Sequence, residues 1–252
     1  MKFSIIVPSY NQGKFIKQTI DSILAQDVEK EVFVIDGCST DGTLDILRSY
    51  GDKIKWISEK DKGQTDAINK GLRMVSGDII AYINSDDYYL SGSLKIVEDL
   101  FKKHPDFMWL TGDGIIVDKD GKEIQGFVSV YKKILRSFHG FIYITNFIIQ
   151  PSTFFRKSVL DEIGFFDETK RYTMDYDYWL RLYSKGYKPL ITDYKISAFR
   201  IHGLSKGGVK YKEQFVEDFE IVKRYCKNIF LLFLHYLHNK LIVLVYFFIK
   251  KI

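Results

Sequence analysis

The first hundred residues alternate between two hydrophobic periods, and this alternation limits the possible folds more than any other feature of the chain. Short apolar runs predict buried strands at residues 3–8, 32–36, 54–58 and 78–84. The segments that follow these strands place apolar residues at helical spacing. Strand–helix alternation of this kind predicts a Rossmann-like α/β fold, in which helices cover both faces of a mostly parallel sheet.

Composition and charge narrow the classes of protein. With 252 residues, of which 46% are hydrophobic, the chain can bury the core of one large domain with an appendage. The net charge of +5 suits a phosphate-bearing ligand or an anionic membrane surface, and is too diffuse to predict nucleic-acid binding. Cys38 and Cys226 lie far apart without metal-ligand spacing, and the N-terminus lacks a signal-peptide pattern. We therefore expect a cytoplasmic protein.

Polar residues stand at the carboxyl ends of the predicted strands, where open α/β sheets bind their ligands. This rule places on one rim Pro8, Ser9, Tyr10, Asp36 and residues 84–87. The stretch PSYNQG after the first strand is neither a dinucleotide-binding turn nor a phosphate-binding loop. Mg²⁺ or Mn²⁺ held by the adjacent carboxylates Asp86 and Asp87 would neutralise a diphosphate instead. A solvated Asn-Ser-Asp-Asp turn is the alternative interpretation.

Six blocks of sequence, in order, carry a resemblance to a known family. They are SIIVPSYNQGKFIKQTIDSILAQ, VIDGCSTDGT, DKGQTDAINKG, GDIIAYINSDD, QPSTFFR and DYDYWLRL. Together they resemble the family 2 glycosyltransferases of GT-A fold, from residue 3 to about residue 205. The resemblance implies an inverting enzyme that moves a sugar from a nucleotide-diphosphate sugar to an acceptor hydroxyl.

The resemblance assigns roles on the nucleotide side. It makes Pro8, Ser9 and Tyr10 nucleotide contacts. Asp36 corresponds to a carboxylate that hydrogen-bonds the base, although capping of the following helix is an alternative. Asp66 is expected in the nucleotide site, and a carboxylate that stabilises the start of a helix is the alternative.

The acidic pair occupies the position of the family's D-x-D motif. Ser85-Asp86-Asp87 departs from that motif at its first residue. The resemblance therefore implies that Asp87 is the direct metal ligand and that Asp86 contacts the ribose or a metal-bound water. His202 is expected near the same metal and diphosphate, with a structural histidine as the alternative.

A second charged site lies in RYTMDYDYWLRLYSKG. An inverting displacement needs a base beside the acceptor hydroxyl, and Asp175 matches the family's catalytic carboxylate. A helix N-cap is its alternative interpretation. Asp177 is two residues further along, points to another side of a helix, and is interpreted as structural.

Three further residues are expected on the diphosphate or acceptor side, namely Gln150, Arg200 and Lys206. The predicted divisions of the chain are a nucleotide-binding half at 1–104, an acceptor-binding half at 105–205 and a helical tail at 206–252. A hairpin is expected to turn at Asp120-Gly121.

The tail is apolar, but polar residues interrupt it. NIFLLFLHYLHNKLIVLVYFFIKKI places His235, His238, Asn239 and Lys240 near its middle, and a lysine at mid-membrane costs roughly 3 kcal/mol. One stripe of a helical wheel holds Arg224, Lys227, Asn228, His235, His238, Asn239 and Lys250, which favours a helix lying in the membrane interface on the inner face of the cell membrane. A helix packed in a homo-oligomer is the second interpretation, and a spanning helix the third.

The favoured function is a metal-dependent inverting glycosyltransferase. We expect a uridine diphosphate sugar as donor, a glycan or lipid-linked acceptor, and a place in cell-surface polysaccharide synthesis. A nucleotidyltransferase would also use acidic residues with Mg²⁺, but a basic glycine-rich segment is expected after its first strand. A non-catalytic sugar-nucleotide or glycan-binding protein would have little use for both the acidic pair and Asp175.

Overall fold

The computed structural model describes residues 1–124, 135, 139–203 and 211–249. In chain order, its strands are β1 (Phe3–Ser9), β2 (Lys30–Asp36), β3 (Lys55–Ser58), β4 (Ile79–Tyr82), β5 (Tyr88–Tyr89), β6 (Trp109–Val117), β7 (Thr153–Arg156) and β8 (Leu190–Arg200). The α-helices are α1 (Ile16–Leu24), α2 (Thr43–Ser49), α3 (Gln64–Leu72), α4 (Ser93–Lys103), α5 (Ser158–Ile163), α6 (Met174–Ser184), α7 (Tyr211–Tyr225) and α8 (Ile229–Ile249). Short 3₁₀ helices lie at Gly51–Lys53, His139–Tyr143 and Gln150–Ser152.

The strands form one sheet in the order β3-β2-β1-β4-β7-β6-β8-β5. The four strands predicted from the first hundred residues pair in parallel, whereas β7 runs antiparallel to β4 and β6. The predicted mostly parallel sheet is therefore confirmed. Because Ser9 pairs with Asp36 and Ile6 with Tyr82, the ends of β1, β2 and β4 meet at one edge.

Side chains of β1 alternate between two cores, one on each face of the sheet. Ile6 faces the core formed with α3, α6 and α7, whereas Ile5 and Val7 face the core formed with α1 and α4. All three are fully buried, which stabilises the fold by about 1.5–3 kcal/mol per side chain. Helix α3 approaches this strand so closely that a β-carbon on Gly71 would lie 2.6 Å from the Ile6 side chain.

Stacked indoles attach α6 to the sheet. The rings of Trp109 in β6 and Trp179 in α6 stack with centroids 5.3 Å apart. The Trp109 Nε1–H also donates to the Tyr187 carbonyl at 2.9 Å, just beyond α6. Both indoles are buried, so this pair fixes where the first turn of α6 lies.

The expected boundary at residue 205 does not coincide with the edge of the hydrophobic core. Helix α7 contributes the buried side chains Ile221, Val222 and Cys226 to the core that also contains α6. The expected hairpin turn is present, since the Asp118 N–H donates to the Lys122 carbonyl.

Part of the polar stripe faces the protein interior in helix α8, contrary to the expectation for a helix lying in the membrane interface, whereas Arg224, Lys227 and Asn228 of the stripe are exposed. His235 and Asn239 are buried and hydrogen-bond each other at 2.9 Å. Burial, with a smaller effect of His238, lowers the pKa of His235 to about 4. The opposite side, here named the apolar face of α8, exposes Ile229, Phe230, Phe233, Tyr236, Leu237, Leu241 and Leu244. Among the described residues, no helix is both long enough and apolar enough to cross a membrane.

Glu31 ties the starts of β1 and β2 to the turn before β4. Its carboxylate accepts hydrogen bonds from the Ser4 hydroxyl at 2.6 Å, the Lys2 ammonium at 2.9 Å and the Ser76 backbone N–H at 2.7 Å. Burial raises the pKa of Glu31, but these hydrogen bonds outweigh burial and lower the pKa to about 2.

We expect Glu31→Gln to lower the free energy of unfolding by about 1–3 kcal/mol at pH 7. Because the folded-state pKa of Glu31 is depressed, its stabilisation is complete above the unfolded-state pKa of about 4.3 and is lost as the pH falls toward 2. Urea unfolding should therefore show a smaller difference in the free energy of unfolding between the variant and the parent at pH 3 than at pH 7. Glu29→Gln, at an exposed position nearby, is the control and should change little. If the variant and the parent differed equally in the free energy of unfolding at both pH values, the depressed pKa of Glu31 would be contradicted.

Candidate functional site

A cavity of about 530 Å³ opens where β1 and β4 end, beside the first turn of α6. Its walls are formed by Pro8, Ser9, Tyr10, Gln12, Asp61, Gly63, Gln64, Ala67, Tyr82, Asn84, Ser85, Asp86, Gln150, Tyr172, Met174, Asp175, Phe199, Arg200, His202 and Gln214. Among the residues singled out from the sequence, Asp36, Asp66 and Asp87 do not line this cavity. Lys206 lies outside the described residues.

The end of β1 forms one wall, as expected. Tyr10 is 61% exposed, so its ring is available to a ligand. Ser9 is 4% exposed, and its hydroxyl has no hydrogen-bond partner among the residues that the structure describes. Because a buried hydroxyl without a partner is costly, Ser9 indicates a polar ligand group at this wall.

Asp36 holds its own loop and does not reach the cavity. It is fully buried, and its Oδ1 accepts the Ser39 hydroxyl at 2.5 Å. Its Oδ2 accepts the Ser39 N–H at 2.9 Å and the Ser58 hydroxyl at 2.7 Å. These bonds use both carboxylate oxygens, so the geometry favours the structural alternative over base recognition.

Asp61, which the sequence reasoning missed, brings a carboxylate to this wall. A β-carbon placed on Gly37 would lie 2.5 Å from the Asp61 Oδ2 and 3.4 Å from the ring of Tyr10. The Asp61 carboxylate therefore fills the space beside Gly37 and Tyr10. Asp66 instead accepts the Lys62 N–H at 3.0 Å, which is the capping alternative. Asp61 could have been predicted from the sequence, because it follows closely after the end of β3, where the rim of the sheet binds ligands.

The two adjacent carboxylates at the end of β4 have different surroundings. The Asp86 side chain is 20% exposed and lines the cavity. Asp87 is 1% exposed, and it accepts the Arg200 N–H at 2.8 Å and the Asn84 side-chain amide at 3.2 Å. Burial, and then the neighbouring Asp86, raise the pKa of Asp87 well above its usual range. This geometry favours Asp86 as the ligand-facing carboxylate, the reverse of the order that the sequence implied.

Arg200 supports the acidic pair from within the protein. It is 2% exposed. Its guanidinium donates to four oxygens at 2.6–3.1 Å, those of the Asp86, Asp118 and Lys119 carbonyls and the Gln18 side chain. The rings of Phe15 and Tyr88 lie 5.0 and 5.5 Å from it. Because four of its five N–H donors are used in this way, the expected contact of Arg200 with a diphosphate is not favoured.

His202 stands beside Asp86. Its Nε2 lies 2.9 Å from the Asp86 Oδ2, and its ring packs on Phe15 with centroids 4.9 Å apart. A carboxylate oxygen and an imidazole nitrogen at one wall fit Mn²⁺, or Mg²⁺ through Asp86, with ligand phosphates and water as the remaining donors. Within the described part of the chain, no group of three or more His, Cys, Asp or Glu side chains is arranged so that it could hold a metal ion by itself.

Amide side chains line the floor between the two walls. The Gln64 amide donates to the Asn84 Oδ1 at 2.6 Å, and the Gln150 amide donates to the Tyr82 carbonyl at 2.8 Å. Gln150 therefore lies where the sequence placed it, on the cavity wall. Burial, followed by the charges of Asp175 and Asp87, raises the pKa of Tyr82 well above its usual range.

Asp175 is on the opposite wall, in the first turn of α6. Its Oδ1 accepts the Tyr176 N–H at 2.8 Å, which orients the carboxylate at the helix start. Asp177 is buried, pairs with Arg181 at 3.0 Å, and accepts the Tyr225 hydroxyl at 2.9 Å. The prediction that Asp177 is structural is therefore confirmed, and Asp175 is the carboxylate of α6 that faces the cavity.

A sequence model described as Glycosyl transferase family 2 matches residues 4–164, more than half of the chain. The chain belongs to the family 2 glycosyltransferases.

Relatives of this family 2 glycosyltransferase carry similar names. An uncharacterized glycosyltransferase of Rickettsia typhi is 30% identical over 192 residues, which cover 71% of this chain and 57% of the relative. TarS of Staphylococcus aureus, a poly(ribitol-phosphate) beta-N-acetylglucosaminyltransferase, is 35% identical over 111 residues, which cover 41% of this chain and 19% of TarS. The chain thus spans little more than half the length of the first relative.

Solved structures show that the fold is GT-A, as the sequence implied. The mannosyltransferase PcManGT of Pyrobaculum calidifontis, in complex with GDP-Man and Mn²⁺, superposes with a TM-score of 0.74 at 19% identity. That match covers 94% of this chain and 68% of PcManGT. TarS residues 1–349 in complex with UDP-GlcNAc give a TM-score of 0.70 at 24% identity, covering 88% of this chain and 65% of that one.

Proposed function

We propose that this family 2 glycosyltransferase is a metal-dependent inverting enzyme that transfers a sugar from a nucleotide-diphosphate sugar to a hydroxyl group. One observation carries the proposal. A single cavity brings the Asp86–His202 pair at the sheet edge together with the Asp175 carboxylate of α6. Complexes of PcManGT with GDP-Man and Mn²⁺ and of TarS with UDP-GlcNAc support a sugar-nucleotide donor.

The nucleotide is assigned to the wall formed by the end of β1. The exposed ring of Tyr10 offers a stacking surface, and the Ser9 hydroxyl lacks a partner in the described part of the protein. Asp61 takes the base-recognising role that the sequence gave to Asp36, because its carboxylate lies beside Tyr10. A carboxylate accepts an N–H of the base, so uracil and guanine both suit Asp61.

The diphosphate is assigned to the end of β4. Asp86 and His202 would hold Mg²⁺ or Mn²⁺, which, when bound, stabilises the negative charge on the leaving diphosphate. Arg200 keeps the Asp86 backbone in place through the bond from its Nε–H to the Asp86 carbonyl at 2.8 Å. The protein thus positions its cavity-facing carboxylate before any donor arrives.

Asp175 is assigned as the base. It takes the proton of the acceptor hydroxyl, and the oxygen bonds to the anomeric carbon of the donor sugar. The bond from that carbon to the phosphate oxygen breaks, and its electron pair leaves with the nucleoside diphosphate. Because one displacement occurs from the side opposite the leaving group, the anomeric configuration inverts.

The acceptor is proposed to be a glycan or a lipid-linked glycan in cell-surface polysaccharide synthesis. The name of TarS, which acts on poly(ribitol-phosphate), supports a polymer of this kind. Tyr172 and Phe199 add aromatic surface to the cavity wall, which suits packing against a sugar ring. A screen of acceptors with labelled donor tests this assignment, and transfer to water alone in every case would oppose it.

For donor binding, we expect Mn²⁺ to raise the affinity for uridine diphosphate or guanosine diphosphate in calorimetric titrations. Asp86→Asn should remove most of this metal-dependent gain. Asp61→Asn should instead weaken nucleotide binding about tenfold both with and without Mn²⁺, because it removes an ionic acceptor worth at least ~1.4 kcal/mol.

Two neighbouring carboxylates serve as controls in the same titrations. Asp66→Asn, in the first turn of α3 after Asp61 and outside the cavity wall, should bind nucleotide normally. Asp87→Asn should mainly lower stability, because Asp87 is buried. Equal affinity with and without Mn²⁺ in the parent protein would refute the metal role.

For chemistry, Asp175→Asn should lower transfer at least ~100-fold while donor affinity changes little, because a general base contributes ~10²–10⁴-fold. Asp177→Asn should show the opposite pattern, with lower stability and near-normal turnover of the folded protein. The measurement is release of nucleoside diphosphate with an active donor, alongside thermal unfolding. Release of sugar 1-phosphate in its place would indicate transfer of the nucleotidyl group, as in a nucleotidyltransferase, and donor binding without any turnover would indicate a binding protein.

We also propose that the apolar face of α8 lies on the inner surface of the cell membrane, which makes the protein cytoplasmic and peripheral. Phe233, Leu237 and Leu241 recur on one side of the helix and are 46–58% exposed. Lys240 lies among them with its ammonium 5.3 Å from the centre of the Tyr236 ring. An apolar side with an adjacent cation suits an anionic lipid surface.

Replacing Phe233 and Leu237 by Ser should reduce the affinity for anionic phospholipid vesicles, measured by sedimentation, at least about tenfold, since the two side chains together contribute up to ~4 kcal/mol of burial. Val216→Ser is the control, because this residue is 67% exposed on α7, outside the apolar face of α8. Unchanged sedimentation of the double variant would refute membrane binding. A change in oligomer size with no change in sedimentation would favour homo-oligomer packing.

A further inference from the structure

The loop that leads into α6 is held by a carboxylate from α7. Glu217 Oε1 accepts the Arg171 N–H at 2.9 Å. Glu217 Oε2 accepts the Tyr172 N–H at 2.7 Å, and the Thr173 N–H and hydroxyl, both at 2.9 Å. Three consecutive backbone donors therefore converge on one side chain that lies more than 40 residues away in the sequence.

These bonds matter because α6 has no cap of its own. Thr173 occupies the N-cap position, but its side chain makes no capping bond to the helix. The Thr173 hydroxyl is instead used by Glu217, and Thr173 is 1% exposed. Without the Glu217 carboxylate, the Thr173 N–H would be buried without its present acceptor, which is costly.

The held loop carries part of the cavity wall. Tyr172, Met174 and Asp175 line the cavity, whereas Thr173 between them is turned toward Glu217. Three residues before Glu217, Gln214 also lines the cavity. Helix α7 is therefore part of the site, although the sequence assigned it to a separate tail.

We infer that Glu217 is a positioning residue for Asp175, acting through the backbone of residues 171–173. This inference rests on the proposed function, in which Asp175 is the base. A displacement of a reacting group by about 1 Å can cost about 100-fold in rate. Glu217 fixes the residues that precede Asp175, so it sets where the carboxylate meets the acceptor hydroxyl.

Glu217→Ala should lower kcat by about 100-fold, and Glu217→Gln, which keeps one acceptor oxygen, by about tenfold. Donor affinity should stay within about twofold of the parent protein. Measurements are made well below the melting temperature of each variant, so that unfolding does not contribute. Glu220→Gln is the matched control, since Glu220 is exposed one turn later on α7 and pairs with Lys223.

Two further measurements separate positioning from stability alone. Amide hydrogen exchange at residues 171–173 should accelerate in Glu217→Ala and not in Glu220→Gln. In a double-mutant cycle, Glu217→Ala should have little further effect on kcat in a protein that already carries Asp175→Asn, because Glu217 acts through Asp175.

The outcomes distinguish this inference from the function on which it rests. Normal kcat in Glu217→Ala beside an impaired Asp175→Asn would overturn the positioning role alone. Additive losses in the cycle, or a loss of donor affinity that matches the loss of rate, would overturn it as well. Full turnover by Asp175→Asn would overturn the proposed base and this inference together.

Discussion

A carboxylate buried at the end of a central strand places the main constraint on this site, because it must be satisfied by donors that the protein itself supplies. Asp87 obtains them from the backbone of Arg200 and the side chain of Asn84. The Arg200 guanidinium in turn binds the Asp86 carbonyl and two carbonyls after β6. The cavity-facing carboxylate of Asp86 is therefore built on a buried network that joins three parts of the chain.

The wall that carries Asp175 depends on packing from the second half of the chain. Trp179 stacks on Trp109 and attaches α6 to the sheet, while Glu217 of α7 holds the loop before α6. The indole pair lies outside the cavity, and Glu217 bonds the backbone of the cavity-lining Tyr172, so both contacts attach the part of the chain that carries Asp175. The position of Asp175 thus depends on tertiary packing rather than on a local motif.

Much of the fold was predictable because strand and helix periods are local properties of the sequence. The first four predicted strands are present and parallel. They were recognisable because parallel strands are covered on both faces and therefore form continuous apolar runs in the sequence. The rim rule placed Pro8, Ser9 and Tyr10 correctly on the cavity wall. The tail was harder to predict, because a helical pattern identifies a polar stripe but not which side the protein covers.

The sequence by itself determined the four parallel strands of the first hundred residues, the helices that follow them, the rim that carries the cavity and the family to which the chain belongs. Only the tertiary structure decided which carboxylates face the cavity. Asp36 and Asp87 turned inward, whereas Asp61 and Asp86 reached the cavity. The reason is physical. An aspartate at a strand end either caps its own loop or faces solvent, and the hydrogen-bond donors that distant segments bring to it decide between the two. Those donors, such as Ser58 and the Arg200 backbone, become neighbours only when the sheet has formed.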